Sequence, residues 1–148
     1  MRLLLQRVAS ASVSAHDKIV GQINRGLLVL AGFRKGDKQD SIKKMADKCL
    51  NLRIFEDEQS KMNLSLLDIK GELLVISQFT LYANCRKGRR PSFDLSMPPE
   101  EADRFYKLLV EEFNRSGLKV EKGVFGAKMQ IELVNIGPVT ISLDDDEI

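Results

Sequence analysis

Short runs of apolar, small and β-branched residues, broken by polar turns, occupy the first third of the chain, a pattern typical of β-strands. This pattern predicts strands over residues 3–14 and 19–23, separated by a polar turn at His16-Asp17-Lys18. A hairpin signal at Asn24-Arg25-Gly26 leads into a continuous apolar run over 27–33, which is typical of a central strand. The N-terminal part of the chain is therefore predicted to form a sheet.

Two later segments have the 3.6-residue period of amphipathic helices. The first begins at Asp40 or Ser41, either of which can cap it, and the second begins at Pro98-Pro99 and ends at Ser116-Gly117. The apolar stripes are Ile42, Met45, Ala46, Cys49 and Leu50 in the first helix, and Ala102, Phe105, Tyr106, Leu109 and Phe113 in the second. We expect both stripes, including the Cys49 thiol, to be buried.

The remaining segments add strands to this framework. An apolar run over 73–79 follows a polar connection at 56–70, and residues 128–135 and 139–143 alternate apolar with polar before an acidic, solvated end at 144–147. Two helices among several strands joined mostly by short turns predict an α+β fold with a mainly antiparallel sheet. Because the chain has 148 residues and no repeat or linker, we expect one domain, residues 1–148.

Composition narrows the class of protein. The chain is 43% hydrophobic and 30% charged with a net charge of +2, so a role with nucleic acid would depend on local clusters. No segment approaches the roughly 20 apolar residues of a membrane span, and the N-terminal apolar run is too short for a signal peptide. We therefore expect a cytoplasmic protein without a membrane partner. One histidine and two cysteines predict neither a zinc site nor a disulfide framework.

The candidate chemistry lies at the end of the strand predicted over 73–79. The sequence has no motif of a nucleotide-binding loop, a serine hydrolase or a zinc protease, so we expect no cofactor. Polar Ser77, Gln78 and Thr80 surround Phe79, and polar groups at a strand end can line a pocket. His16 is most simply a surface residue, although a Ser/His/Asp triad built on it stays open.

A basic loop follows this strand end. Its cations are Arg86, Lys87, Arg89 and Arg90. Such a cluster can neutralise the phosphates of a nucleic acid. The alternative is a solvated surface loop, because runs of charge are common on surfaces. The residues alone leave both interpretations open.

Several separated segments together resemble the D-aminoacyl-tRNA deacylase family. They are QRV near the start, GLLVLAG, LRIFEDE with its KMN, SQFTLY, KGRRPSF, FGAKM and NIGPVT, and they run in order over about residues 2–143. The sequence departs from residues common in the family at Arg89, Lys128 and Ile136. The resemblance implies a deacylase-like α+β fold, a partial barrel with two helices that forms a homodimer.

The resemblance also implies an activity. The family hydrolyses the ester of D-aminoacyl-tRNA and of mischarged glycyl-tRNA, a proofreading step in translation. Ser77, Gln78, Phe79 and Thr80 would line the catalytic pocket, with backbone N–H groups near Phe79 and Thr80 facing the developing oxyanion. The attacking group would be water, assisted by the 2′-hydroxyl of the substrate. The alternative is Thr80 as nucleophile, which lacks a visible neighbouring base.

Selection of the D-enantiomer is assigned by the resemblance to Gly137 and Pro138. Their peptide bond would be cis, and the dipeptide would reach from each subunit into the partner's pocket. Arg7 would fix the orientation of this dipeptide, and Met129 would form part of the pocket wall. The tRNA phosphates would be contacted by Arg86, Lys87, Arg89 and Arg90. The simpler interpretations are a Gly-Pro turn, a surface arginine and a core methionine.

Two other functions stay open from the sequence. A nucleic-acid-binding module without catalysis would use the basic loop, and its binding would depend on salt concentration. A dimeric hydrolase of free N-acyl or D-amino-acid derivatives would cleave its substrates without tRNA.

Overall fold

The computed structural model describes residues 1–148. The sheet strands are β1 (Arg2–Ala15), β2 (Lys18–Ile23), β3 (Gly26–Gly32), β6 (Glu72–Ser77), β7 (Val120–Lys122) and β8 (Met129–Asp144). A small hairpin is formed by β4 (Phe55–Glu56) and β5 (Met62–Leu64). The helices are α1 (Asp40–Asn51), α2 (Pro99–Asn114) and two short 3-10 turns, Phe79–Tyr82 and Asp145–Glu147. No helix is both long and apolar enough to cross a membrane.

Strand β1 is the centre of the sheet. It pairs antiparallel with β2 and β3 along one edge and with β8 along the other. Strands β3 and β6 are parallel, as are β6 and β7, because each of these pairs is joined by a crossover that contains a helix. The predicted mainly antiparallel α+β sheet is confirmed, with a parallel part that the sequence pattern did not reveal.

The sheet curls until its outer strands β2 and β7 approach each other. The Lys119 ammonium donates to the Gln22 carbonyl at 2.9 Å. At Gly21, an added Cβ would lie only 3.1 Å from the Lys122 carbonyl oxygen, so the glycine permits the close approach. The predicted partial barrel with two helices is therefore confirmed.

The two faces of the sheet pack into different cores. Leu27, Val29, Leu73 and Val75 point to the side of the helices, where both predicted apolar stripes, including Cys49, are buried. The alternate residues on β3 and β6, such as Leu28 and Ile76, fill a smaller core inside the barrel. The Tyr106 hydroxyl donates to the Val75 carbonyl at 2.7 Å and thereby ties α2 to the sheet.

Several predicted boundaries differ from the structure. Helix α1 is preceded by Gln39 with no side-chain cap hydrogen bond, so the prediction of a cap at Asp40 or Ser41 was wrong. The strand predicted over 73–79 ends at Ser77, where the 3-10 turn Phe79–Tyr82 takes over. Strands β4, β5 and β7 were missed because two or three residues are too short to show a period.

The C-terminal strands predicted over 128–135 and 139–143 are one strand, β8, with an excursion inside it. Gln6 pairs with Thr140 and Val8 pairs with Asn135, so residues 136–139 stand opposite Arg7 alone. We call residues 136–139 the Gly-Pro loop. This excursion places Gly137 and Pro138 at the surface of the sheet.

The acidic C-terminal end is only partly solvated: Asp146 and Glu147 are exposed as expected, whereas Asp144 and Asp145 are not. The side chains of Asp144 and Asp145 are only 12% and 10% exposed, because cations of the chain pair with them. Arg2 contacts Asp144 at 2.7 Å, and the Met1 ammonium contacts Asp145 at 2.6 Å. The two chain ends are thereby joined at one edge of the sheet.

Candidate active site

A cavity of about 720 Å³ opens at the end of β6. It brings together four of the residues predicted from the sequence, Ser77, Gln78, Phe79 and Met129. The other lining residues come mainly from the segment before α2 and the start of that helix, from the end of β3 and the residues after it, and from the segment between β7 and β8: Ala31, Phe33, Lys35, Ile76, Phe93, Ser96, Met97, Pro98, Pro99, Ala102, Phe125, Gly126, Ala127 and Ile131. The cavity is thus largely apolar, with few polar groups at one end, as small-molecule sites commonly are.

The 3-10 turn Phe79–Tyr82 forms the polar end of the cavity. The Gln78 N–H donates to the Ala31 carbonyl at 2.7 Å, which fixes the start of the turn on strand β3. An added Cβ on Gly32 would lie 3.0 Å from Leu81 Cβ, so glycine lets the turn sit directly on the strand. The first backbone N–H groups of such a turn, those of Phe79 and Thr80, have no acceptor within it.

Thr80 lies outside the cavity lining, although its neighbours form it. Its side chain is exposed, and its hydroxyl oxygen accepts a hydrogen bond from Gln78 Nε2 at 2.5 Å. The sole imidazole, His16, lines a different cavity with Ser14 and Asp17. The structure therefore does not bring His16 to the polar groups at the end of β6, and it offers Thr80 no histidine base.

An aromatic pair stands at the rim of the cavity. The rings of Phe79 and Phe93 meet edge to face with centroids 5.0 Å apart, and Phe79 is 57% exposed. Beyond them lies the basic loop, residues 86–90, whose four cations are exposed and form no salt bridge. Backbone hydrogen bonds between Asn84 and Ser92 close the base of this loop.

Met129 forms part of the opposite wall. An added Cβ on Gly123 would lie 2.6 Å from the Met129 sulfur and 3.0 Å from Ile76 Cδ1. The Gly123 N–H donates to the Val75 carbonyl at 3.0 Å, which holds this segment against β6. The absence of a side chain at Gly123 therefore sets how deeply Met129 enters the cavity, a feature that the sequence alone did not reveal.

The Gly-Pro loop lies away from the cavity of its own chain. Gly137 and Pro138 are exposed and joined by a cis peptide bond, as the resemblance implied. Gly137 has a φ of +128°, and an added Cβ would lie 2.8 Å from Val139 Cγ2 and 3.0 Å from Arg7 Nη2. Only glycine fits this position without displacement of its neighbours.

Arg7 is buried beneath this loop and is not a surface arginine. Its Nε donates to the Ile136 carbonyl at 3.0 Å, and Nη1 donates to the Ile54 carbonyl at 2.7 Å. A longer contact of 3.4 Å joins Nη2 to Glu56 Oε1. Arg7 therefore ties the Gly-Pro loop to Ile54 and to β4.

Asn135 closes the base of the Gly-Pro loop. Its Oδ1 accepts from the Val139 N–H at 2.8 Å, while its Nδ2 donates to the Val139 carbonyl at 3.1 Å. The side-chain amide thereby pairs with both backbone groups of a residue that faces no partner in β1. Asn135 belongs to the sequence motif NIGPVT, but no local pattern predicted its contact with both backbone groups of Val139.

Comparisons with known proteins agree with this architecture. The family model described as D-Tyr-tRNA(Tyr) deacylase matches residues 4–144. The D-aminoacyl-tRNA deacylase of Thermosipho africanus (strain TCF52B) is 55% identical over 148 residues, covering 100% of this chain and 99% of the relative. The D-aminoacyl-tRNA deacylase of Aquifex aeolicus (strain VF5) is 54% identical over 148 residues, with 100% of both chains covered.

Two solved structures have the same fold. A chain titled c-Myc DNA Unwinding Element Binding Protein is 42% identical, with a TM-score of 0.91 over 97% of this chain and 98% of that chain. A probable eukaryotic D-amino acid tRNA deacylase has a TM-score of 0.84 at 17% identity over 96% of this chain and 97% of that chain, a likeness of fold alone. The match of the family model over nearly the whole chain and the high identity of these relatives agree, and the chain belongs to the D-Tyr-tRNA(Tyr) deacylase family.

Proposed function

We propose that this protein hydrolyses the ester bond of D-aminoacyl-tRNA and of mischarged glycyl-tRNA, releasing the amino acid and free tRNA. The observation that carries the proposal is the cavity at the end of β6, where the family motif residues Ser77, Gln78 and Phe79 converge with Met129. Its size suits a terminal adenosine with an attached amino acid. The relatives that match over the full chain are named D-aminoacyl-tRNA deacylase.

The chemical step would use water rather than a nucleophilic side chain. The water oxygen forms a bond to the ester carbonyl carbon, and the carbonyl oxygen becomes an oxyanion that the Phe79 and Thr80 N–H groups stabilise. Collapse of this intermediate breaks the bond to the ribose oxygen, which leaves with a proton. The 2′-hydroxyl of the substrate would assist the proton transfer, since Thr80 has only Gln78 as a side-chain partner.

Discrimination between enantiomers would come from the Gly-Pro loop of a second subunit. We propose a homodimer in which Gly137 and Pro138 enter the partner's cavity, hold the substrate ammonium with their carbonyl oxygens and exclude an L-side chain. Exposure of both residues and their absence from their own cavity support this arrangement. Two exposed hydrophobic residues, Ile136 in the loop and Val134 beside it, would also gain from burial in a dimer.

Steric exclusion by backbone atoms suits an enzyme that accepts many D-side chains. It rejects the wrong enantiomer without depending on the identity of the side chain. Glycine has no Cβ and cannot be excluded in this way, which accounts for glycyl-tRNA as a substrate. The basic loop would contact acceptor-stem phosphates, which position an RNA without reading its sequence.

The test is the release of amino acid from D-Tyr-tRNA, L-Tyr-tRNA and a free D-tyrosine ester. Rapid loss of D-Tyr-tRNA alone supports the proposed function. Equal loss of both aminoacyl-tRNAs contradicts the selector role of the Gly-Pro loop, and cleavage of the free ester at a similar rate indicates a hydrolase independent of tRNA. Binding of tRNA or duplex DNA without any cleavage would instead indicate a nucleic-acid-binding module.

A further inference from the structure

Arg2 connects the C-terminal end of β8 to the 3-10 turn Phe79–Tyr82. Its Nε and Nη2 donate to Asp144 Oδ2 at 3.0 and 2.7 Å, and its Nη1 donates to the Leu81 carbonyl at 2.9 Å. The guanidinium also lies over the Tyr82 ring, 5.0 Å from its centroid. One side chain therefore contacts two residues of the turn and the carboxylate opposite it in the sheet.

The sheet register explains how Arg2 reaches the turn. Arg2 pairs with Asp144 in β8 on one side and with Gly32 in β3 on the other. The turn rests on Gly32, where an added Cβ would lie 3.0 Å from Leu81 Cβ. Because Gly32 has no side chain, the turn lies within reach of the guanidinium, and Asp144 holds that group from the other side.

We propose that Arg2, oriented by Asp144, is a positioning residue that fixes the 3-10 turn so that its N–H groups keep the geometry needed at the ester oxyanion. This inference rests on the proposed hydrolysis. The start of the turn is also held by two hydrogen bonds, from the Gln78 N–H to the Ala31 carbonyl at 2.7 Å and from Ser96 Oγ to the Phe79 carbonyl at 3.3 Å. Arg2 supplies a hydrogen bond at the other end of the turn, to the Leu81 carbonyl.

Arginine suits this contact better than lysine does. The last carbonyls of a helical turn lack partners within it, and a cation is favoured at that end of the turn. Arginine can donate to a carboxylate and to a carbonyl at once through a rigid fork, whereas a lysine ammonium is a single flexible point charge. Arg2→Lys therefore keeps the charge but loses the fixed geometry.

The kinetic test compares Arg2→Gln, Arg2→Lys and Asp144→Asn with a matched control. Lys119→Gln is that control, because Lys119 also bonds a carboxylate (Glu72) and a carbonyl (Gln22) but lies far from the cavity. Because small misplacements of catalytic groups cost up to about a hundredfold in rate, we expect Arg2→Gln to lower kcat on D-Tyr-tRNA at least about tenfold. KM should stay within about twofold, and Arg2→Lys and Asp144→Asn should be intermediate.

A second measurement does not depend on catalysis. The amide hydrogens of Leu81 and Ala83 donate to the carbonyls of Gln78 and Thr80, so their exchange with solvent reports opening of the turn. Exchange in a peptide covering residues 78–83 should be at least about tenfold faster in Arg2→Gln and unchanged in Lys119→Gln. If the wild-type protein proved inactive, the proposed function would be contradicted. The exchange measurement would still test whether Arg2 holds the 3-10 turn in place.

Two outcomes would overturn the inference. One is an Arg2→Gln enzyme with kcat within twofold of wild type and unaltered exchange in residues 78–83. The other is an equal loss of kcat in Lys119→Gln, which would mean that the effect follows from general destabilisation. All variants are compared at a temperature well below the unfolding midpoint of each.

Discussion

The Arg7 guanidinium lies directly beneath Gly137, and its Nη2 is 3.0 Å from the position that a Cβ on that glycine would occupy. The same side chain donates to the Ile136 carbonyl, one residue before the glycine. Arg7 therefore holds the Gly-Pro loop and also occupies the space that any side chain at Gly137 would require. The conformation of the loop depends on both residues together.

Gly137→Ala should impair discrimination between enantiomers. The new methyl group would collide with Arg7 and Val139, and its backbone would stay at an unfavourable positive φ. We expect the ratio of the D-Tyr-tRNA to the L-Tyr-tRNA cleavage rate to fall at least about tenfold. Gly117→Ala is the control, because Gly117 has a φ of +77° in open space, so it has the backbone penalty of about 1–3 kcal/mol without the collision. A similar loss of discrimination in both variants would refute the steric explanation.

Thr80→Ala should retain most of the activity. Thr80 is exposed, and Gln78 is the hydrogen-bond partner of its side chain. We expect kcat on D-Tyr-tRNA to stay within about threefold of wild type, because the backbone N–H of residue 80 is kept. Loss of a true nucleophile costs far more, up to about 10⁶-fold in a serine protease. A drop of that order in Thr80→Ala, with activity kept in Thr80→Ser, would mean that the hydroxyl attacks the ester.

Gly123→Ala should narrow the cavity through Met129. The added methyl group would lie 2.6 Å from the Met129 sulfur, and the flexible thioether is the group that can move. We expect KM for D-Tyr-tRNA to rise several-fold, with a smaller change for glycyl-tRNA. The double variant Gly123→Ala/Met129→Ala should regain the wild-type KM for D-Tyr-tRNA. Failure of this rescue would show that the methyl group acts elsewhere.

Arg89→Gln and Arg90→Gln should weaken tRNA binding without altering which tRNAs are bound. Each removes one exposed cation of the basic loop. We expect the slope of log affinity against log salt concentration to decrease by about 1 for each phosphate that the variant no longer neutralises. Arg115→Gln, which removes an exposed arginine of the α2 C-terminus, should leave the slope unchanged. An unchanged slope in the two loop variants would exclude the loop from the RNA interface.

Protonation of Asp144 should make the protein less stable in acid. Burial opposes its ionisation, but hydrogen bonds from Arg2 and the Asp146 N–H, with the charges of Arg2 and the N-terminal ammonium, lower the pKa of Asp144 below its ordinary value. The contribution of the ionised Asp144 to the free energy of unfolding is therefore present above the unfolded pKa of about 4. It is lost as the pH falls through the folded pKa. The midpoint temperature of thermal unfolding should be higher for wild type than for Asp144→Asn at pH 7, and this difference should close near pH 2. A gap of equal size at both pH values would contradict this linkage.

The sequence predicted those parts of the molecule in which a local pattern coincides with a structural period. The stripes of α1 and α2 repeat over three or more turns, and Phe105 and Leu109 are buried as expected. The cavity residues were found through the motif around Phe79, because a strand end with polar side chains is visible locally. Strands β4 and β7 have no such signal, because two or three residues are too short to show a period, and β7 forms only by pairing with the distant β6.

Contacts between residues far apart in the sequence determine the features that were not predicted. The acidic end at Asp144 was expected to be solvated, since nothing near it in sequence shows that Arg2, 142 residues away, lies opposite it. Arg7 likewise has no local reason to be buried, and its position follows from the excursion in β8 and from the carbonyl of Ile54. The sequence motifs therefore identified residues that line the cavity better than they identified the contacts that hold the turn and the Gly-Pro loop.

The groups that hold the Gly-Pro loop differ in kind from those that hold the 3-10 turn. Asn135 carries an amide that does not titrate, and the two shorter bonds of Arg7 end on neutral carbonyls. The turn depends instead on the carboxylate of Asp144 through Arg2. If Arg2 and the Gly-Pro loop act as proposed, acidification through the pKa of Asp144 should slow ester cleavage before it reduces discrimination between the enantiomers.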